Sequence, residues 1–140
     1  MTGHLTIQFA QEFLDKNFAP WITDLEPKLI NCNNGVARID VPISPHIERV
    51  GQMVCGQAMS ALADTTMVFA CFSHMQKLIP VATTTLDIQF LRPASGVTLS
   101  CTATVERAGK ALFFLSANLL TFPNEKIVAK STATFYSPQN

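Results

Sequence analysis

The run Met53-Val-Cys-Gly-Gln-Ala-Met-Ser-Ala-Leu-Ala-Asp-Thr-Thr-Met-Val-Phe-Ala-Cys-Phe-Ser-His74 carries one formal charge, Asp64, and no other falls between Arg49 and Lys77. Its composition predicts a long helix from about Val54 to Met75. On that helix Gln57, Ser60 and Asp64 recur at i, i+3 and i+7 and make one narrow polar stripe on an apolar cylinder. Two readings stand. The stripe faces water, as on any amphipathic helix, or the helix is enclosed on most sides and its seam faces a cleft or a subunit partner. A carboxylate in such a setting is costly unless it is paired, hydrogen-bonded or solvated, so Asp64 is the first candidate for a working residue.

Outward from this helix the chain changes character. Upstream, Ile7, Ala10, Phe13, Leu14 and Phe18 fall at helical spacing and predict a short amphipathic helix over Thr6 to Phe18, with Pro20 soon after. Lys28 to Cys32 and Val36 to Val41 flank Asn33-Asn34-Gly35, residues that accept positive φ, and read as a β-hairpin. Pro42 to Gly51 reads as a connecting loop. Beyond Pro80, four segments rich in Val, Ile, Thr and Phe follow: Val81 to Leu91, Val97 to Arg107, Ala111 to Phe122 and Lys126 to Tyr136. Turn sequences separate them. Helix, two strands, long helix and four strands make an α+β arrangement, a mainly antiparallel sheet wrapped around a central helix, which matches the hotdog fold. Residues 1–140 are expected to form one such domain. Edge strands of small sheets often pair across a dimer axis.

Composition narrows the partners. Charged residues make up 14% of the 140 residues, against about 25% in ordinary soluble domains, so part of the monomer surface is expected to be covered. Ten basic and ten acidic residues cancel. No general field points to nucleic acid or to an anionic membrane. The uncharged stretch is interrupted by Asp64, Gly51, Gly56, Ser60 and several Gln and Thr, which does not suit a membrane span. The opening Met1-Thr-Gly-His4 lacks the pattern of a secretion signal, and a cytoplasmic protein is expected. Cys32, Cys55, Cys71 and Cys101 include no Cys-x-x-Cys pair and read as free, largely buried thiols, with no metal site expected.

The segment Cys55-Gly56-Gln57-Ala-Met-Ser-Ala-Leu62-Ala-Asp64 resembles the helix-start motif of the PaaI-like hotdog acyl-CoA thioesterases: His-Gly-Gly, four residues, Leu, one residue and Asp. Gly56, Leu62, Asp64 and the spacing are retained, while Cys55 stands in place of the histidine. The stretch Thr83-Thr-Thr-Leu-Asp-Ile-Gln-Phe-Leu-Arg-Pro-Ala94 and the hairpin Val105-Glu-Arg-Ala-Gly-Lys110 are similar to the family too. The upstream loop asparagine has no counterpart; Glu48 and Arg49 occupy that region. The resemblance covers roughly Val36 to Tyr136. It implies hydrolysis of acyl- or aryl-CoA thioesters at a dimer interface, with Asp64 as general base or nucleophile and the Gly56 N–H polarising the carbonyl. It also implies a homodimer or a dimer of dimers, and coenzyme A as part of the substrate with no separate cofactor.

Gly56 and Asp64 lie eight positions apart, about 12 Å along one helix. One helix therefore cannot hold both against one carbonyl, and a composite site with Gly56 from one subunit and Asp64 from its partner removes the difficulty. Thr85 matches a family Ser or Thr expected to hold water beside Asp64. Strand parity instead puts Thr84 on the face of Leu86, Ile88 and Phe90, so either threonine fits. Substrate contacts are expected from Cys55, Gln57, Glu48, Arg92, Arg107 and Lys110, the cations reaching for phosphates. Glu48 reads either as a second carboxylate in the cleft or as a surface residue. Cys55 reads either as a nucleophile at a helix start or as a small buried apolar side chain. Phe90, Phe113, Phe114 and Met59 are candidates for an acyl or aryl pocket, or for the core. The alternative function is a non-catalytic hotdog module that binds CoA esters or fatty acyl ligands. A hydratase or dehydratase on the same fold would need a histidine in the cleft.

Overall fold

Helix α1 (Ile7–Asn17) begins where the Thr6 side chain accepts a hydrogen bond from the Phe9 amide, and buries Ala10 and Leu14. The computed structural model describes residues 5–138. The opening Met1-Thr-Gly-His4, on which the expectation about secretion rests, and residues 139–140 of the expected 1–140 domain lie outside them. Gln11 ties α1 to the sheet: its Nε2 donates to the Pro27 carbonyl at 3.1 Å and its Oε1 accepts from the Leu29 amide at 2.7 Å. A four-residue helix, α2 (Pro20–Thr23), follows directly. It starts on proline, whose fixed φ suits a first helical position.

Strands β1 (Lys28–Asn33) and β2 (Val36–Pro42) form the expected hairpin. Its turn is Asn34-Gly35, both at positive φ. Ala37, Ile39 and Val41 point into the core, as the alternation in β2 predicts. The segment expected to be a plain loop holds a 3-10 turn, Pro45–Ile47, and a small ladder of β3 (Glu48–Arg49) with β4 (Met53–Val54). Helix α3 runs Gly56–Met75 with Cys55 as N-cap, two residues later than the sequence suggests. The start is fixed by tertiary bonds, Val54 N–H to the Ala94 carbonyl and Cys55 N–H to the Ile47 carbonyl, each at 2.9 Å.

Thirteen residues of α3 are buried, the enclosed helix that its low charge implies. Its buried hydroxyls bond back to their own helix: Thr66 donates to the Leu62 carbonyl at 2.6 Å and Ser73 to that of Ala70 at 2.9 Å. Strands β5 (Ala82–Phe90), β6 (Thr98–Ala108), β7 (Leu112–Phe122) and β8 (Lys126–Tyr136) complete one six-stranded antiparallel sheet in the order β1-β2-β6-β7-β8-β5. The sheet curls around α3 in the hotdog arrangement. The strand next to α3 in sequence, β5, ends at the sheet edge with nearly all its residues exposed. Among the described residues no helix is long and apolar enough to cross a membrane.

Candidate functional site

The polar stripe of α3 faces a groove of about 580 Å³, lined by Gly56, Gln57, Ser60, Ala61 and Asp64 from the helix, Leu86 and Phe90 from β5, and Trp21 from α2. In the single chain the seam lines an open surface depression. Leaving α3's stripe uncovered requires that β5 stand at the edge rather than over the helix. Trp21, the chain's single tryptophan, is 59% exposed at the groove wall.

Asp64 is half-buried. Its Oδ1 accepts a hydrogen bond from Thr83 Oγ1 at 2.7 Å. This corrects the expectation placed on Thr85 and on Thr84. The ladder with β8 shifts between Thr83 and Thr85, so Thr84 sits in a β-bulge and its hydroxyl donates to the Thr134 carbonyl at 2.9 Å. The bulge breaks the alternation: Thr83 joins the groove side with Leu86 and Phe90, while Thr85 lies with Asp87, Glu106 and Thr132 on the outer face. Three successive threonines at a strand's start carried the signal. Reading them as a regular strand lost it.

At the other end of the groove α3 has no side-chain cap, and the Gly56 amide finds no acceptor among the described residues. A free N–H at a helix start carries partial positive charge. A Cβ at position 56 would sit 3.2 Å from Phe90 Cζ, a tight contact that the half-exposed ring can relieve by a small shift.

Other expected residues are placed as follows. Gln57 lines the groove. Cys55 is half-buried and packs against the core. His74, in the last turn of α3, lies edge-on to the Phe113 ring at 5.5 Å, far from Cys55 at the helix start. Glu48 is half-buried in β3 opposite Val54 and does not line the groove. Among the described residues the one ion pair is Arg38 with Asp40 at 2.9 Å. Arg92 is exposed two residues beyond Phe90, near the start of α3. Arg107 and Lys110 are exposed around the β6–β7 turn, where Ala108 pairs with Phe113 at the opposite end of the helix. One chain thus does not gather these cations around a single rim. Of the four pocket candidates only Phe90 lines the groove: Met59 and Phe113 are core residues, and Phe114 is on the outer face with Thr85.

Burial holds the Cys32 thiol up at about 11 and those of Cys71 and Cys101 at about 12, so these three stay protonated. Among the described residues no cluster of three His, Cys, Asp or Glu is arranged to hold a metal. The groove offers a carboxylate that accepts from one hydroxyl, an amide donor with no acceptor among the described residues, and apolar walls.

The profile of a family described as the thioesterase superfamily matches residues 51–127. No curated relative matches by sequence. Similar solved structures include the PaaI protein of the phenylacetic acid degradation operon of E. coli, at 23% identity and TM-score 0.81, covering 92% of this chain and 90% of that one. A thioesterase from Haemophilus influenzae is similar at 16% identity and TM-score 0.85, over 99% and 96% of the two chains. A phenylacetic acid degradation-related protein from Ralstonia eutropha is similar at 21% and 0.78, over 92% and 98%.

Proposed function

Because this chain belongs to the thioesterase superfamily, whose chemistry is thioester hydrolysis, we propose that it hydrolyses acyl- or aryl-CoA thioesters at a site shared by two copies. The observation that supports this most is the Thr83–Asp64 hydrogen bond in a groove whose other end presents the unused Gly56 amide. Thr83 occupies one side of Asp64 Oδ1 and leaves Oδ2 for water. The carboxylate takes a proton from that water as its oxygen attacks the thioester carbon. The carbonyl oxygen becomes an oxyanion that accepts from the Gly56 N–H of the second copy. Collapse breaks the carbon–sulfur bond, and the proton on Asp64 passes to the departing thiolate. The products are a carboxylic acid and a free thiol.

Two copies are invoked because Gly56 and Asp64 of one helix stand about 12 Å apart. The exposed edge strand β5, with Leu86 and Phe90 beside the groove, offers the pairing surface. Asp64→Asn should abolish thiol release from a panel of acyl-CoA esters, and unchanged activity would discard the mechanism. A complementation test reads the sharing directly. Gly56→Pro removes the amide at a helix position that tolerates proline. Co-refolded with Asp64→Asn it should restore about a quarter of wild-type activity, since half of the twofold dimers are mixed and one of their two sites is intact.

A further inference from the structure

The proposed site asks one thing of a second copy: that its Gly56 amide stand at the Asp64 end of this chain's groove. A twofold axis does this only where it crosses α3 midway between the two residues, at Ser60, the centre of the polar stripe. The free edge of the sheet answers with its own middle. On β5, Thr83 holds Asp64 at one end of the groove and the Phe90 ring packs at Gly56 at the other. Leu86 lies between them and shares the groove with Ser60 and Ala61. One axis can therefore pass through both elements.

Strand geometry narrows the pairing further. The axis stands across the sheet and keeps its faces, so only residues of one face oppose each other in two antiparallel β5 strands. The Asp87 carbonyl is turned toward β8, where it accepts from Ser131 Oγ at 2.7 Å. By alternation the N–H and C=O of Leu86 point to the free edge, where they can bond the same groups of a second Leu86. An axis one residue later would set Asp87 against Asp87, like charges directly opposite. One residue earlier, the bulge at Thr84 would lie beside the centre on both strands and interrupt the ladder. We infer that the partner seated on β5 is a second copy of this chain, antiparallel and with Leu86 on the twofold axis, so that Thr85 of each copy faces Asp87 of the other on the outer side of the sheet. The inference rests on the shared-site reading and deepens it by giving the assembly a register.

Cysteine cross-linking reads the register. Opposed residues lie about 4.5–5.5 Å apart between Cα atoms, within disulfide reach, and residues displaced by two positions lie about 8 Å apart, outside it. Under mild oxidation Leu86→Cys should form a covalent dimer on its own. Asp87→Cys and Thr85→Cys should each stay uncross-linked alone and join about half of the protein when the two are co-refolded. The wild type, with Cys32, Cys71 and Cys101 buried, is the control for the half-buried Cys55. Cross-linking of Asp87→Cys alone, or of Thr85→Cys alone, would overturn the register, as would a sedimenting dimer in which no pair reacts. Thiol release from acyl-CoA esters by the reduced variants keeps the two readings apart. A different register with hydrolysis intact overturns only this inference, whereas the expected cross-links in a protein that hydrolyses none of the esters uphold the register and remove the catalytic reading. A protein that stays single at all concentrations overturns both.

Discussion

Thr83 and Thr85 differ by two positions and by a face of the sheet, which makes them a matched pair for testing the carboxylate's environment. Thr83→Val keeps the shape and removes the hydroxyl that Asp64 accepts from. It should lower kcat about 10- to 100-fold, the equivalent of one hydrogen bond to a charged group. Thr85→Val, on the outer face, should leave steady-state rates near those of the wild type. Equal losses in both would show that the bulge does not set the site. The buried thiols make a separate prediction about pH. The unfolded chain ionises its cysteines from the ordinary value of 9.0, whereas the folded Cys71 and Cys101 hold their protons to about 12. The unfolded state therefore binds fewer protons in that window, so stability is full below pH 9 and falls as the pH rises toward 12. Urea melts across that range should show the decline, and it should be shallower in Cys101→Ala.

Gln11 shows how an element is held by one side chain. It bonds the Pro27 carbonyl and the Leu29 amide from α1 and so docks that helix on β1. Gln11→Ala leaves both backbone groups without that partner in a partly buried place and should cost about 1–3 kcal/mol in denaturant melts. A strand shows the contrary case, in which local pattern misleads. Residues 83–90 alternate as a strand should, yet one extra residue at Thr84 reverses the face of everything before it. A bulge has no strong composition of its own. Parity arguments carried across it choose the wrong threonine.

Assembly is where the low charge content and the bare edge strand meet. Val50, Val97, Trp21 and Phe90 are each at least half exposed, and among the described residues no strand pairs with the outer side of β5. Pairing of two β5 strands should give twice the 15.3 kDa chain mass in sedimentation. Leu86→Glu, which puts a charge beside the groove on that strand, should return the particle to a single chain and remove hydrolysis with it. A Leu86→Glu dimer of full activity would refute the shared site. The longer elements are readable from residue order, because hydrophobic periodicity, the Asn34-Gly35 turn and an almost uncharged helix are local properties, whereas α2 and the β3–β4 ladder are not. The stripe of Gln57, Ser60 and Asp64 is readable too, because spacing on one helix needs no other element to define it. Tertiary structure alone decides which strand stands at the edge and which threonine reaches Asp64. Each of these depends on residues far apart in the chain being brought into contact, and the energy that selects among such contacts is not written in any single segment.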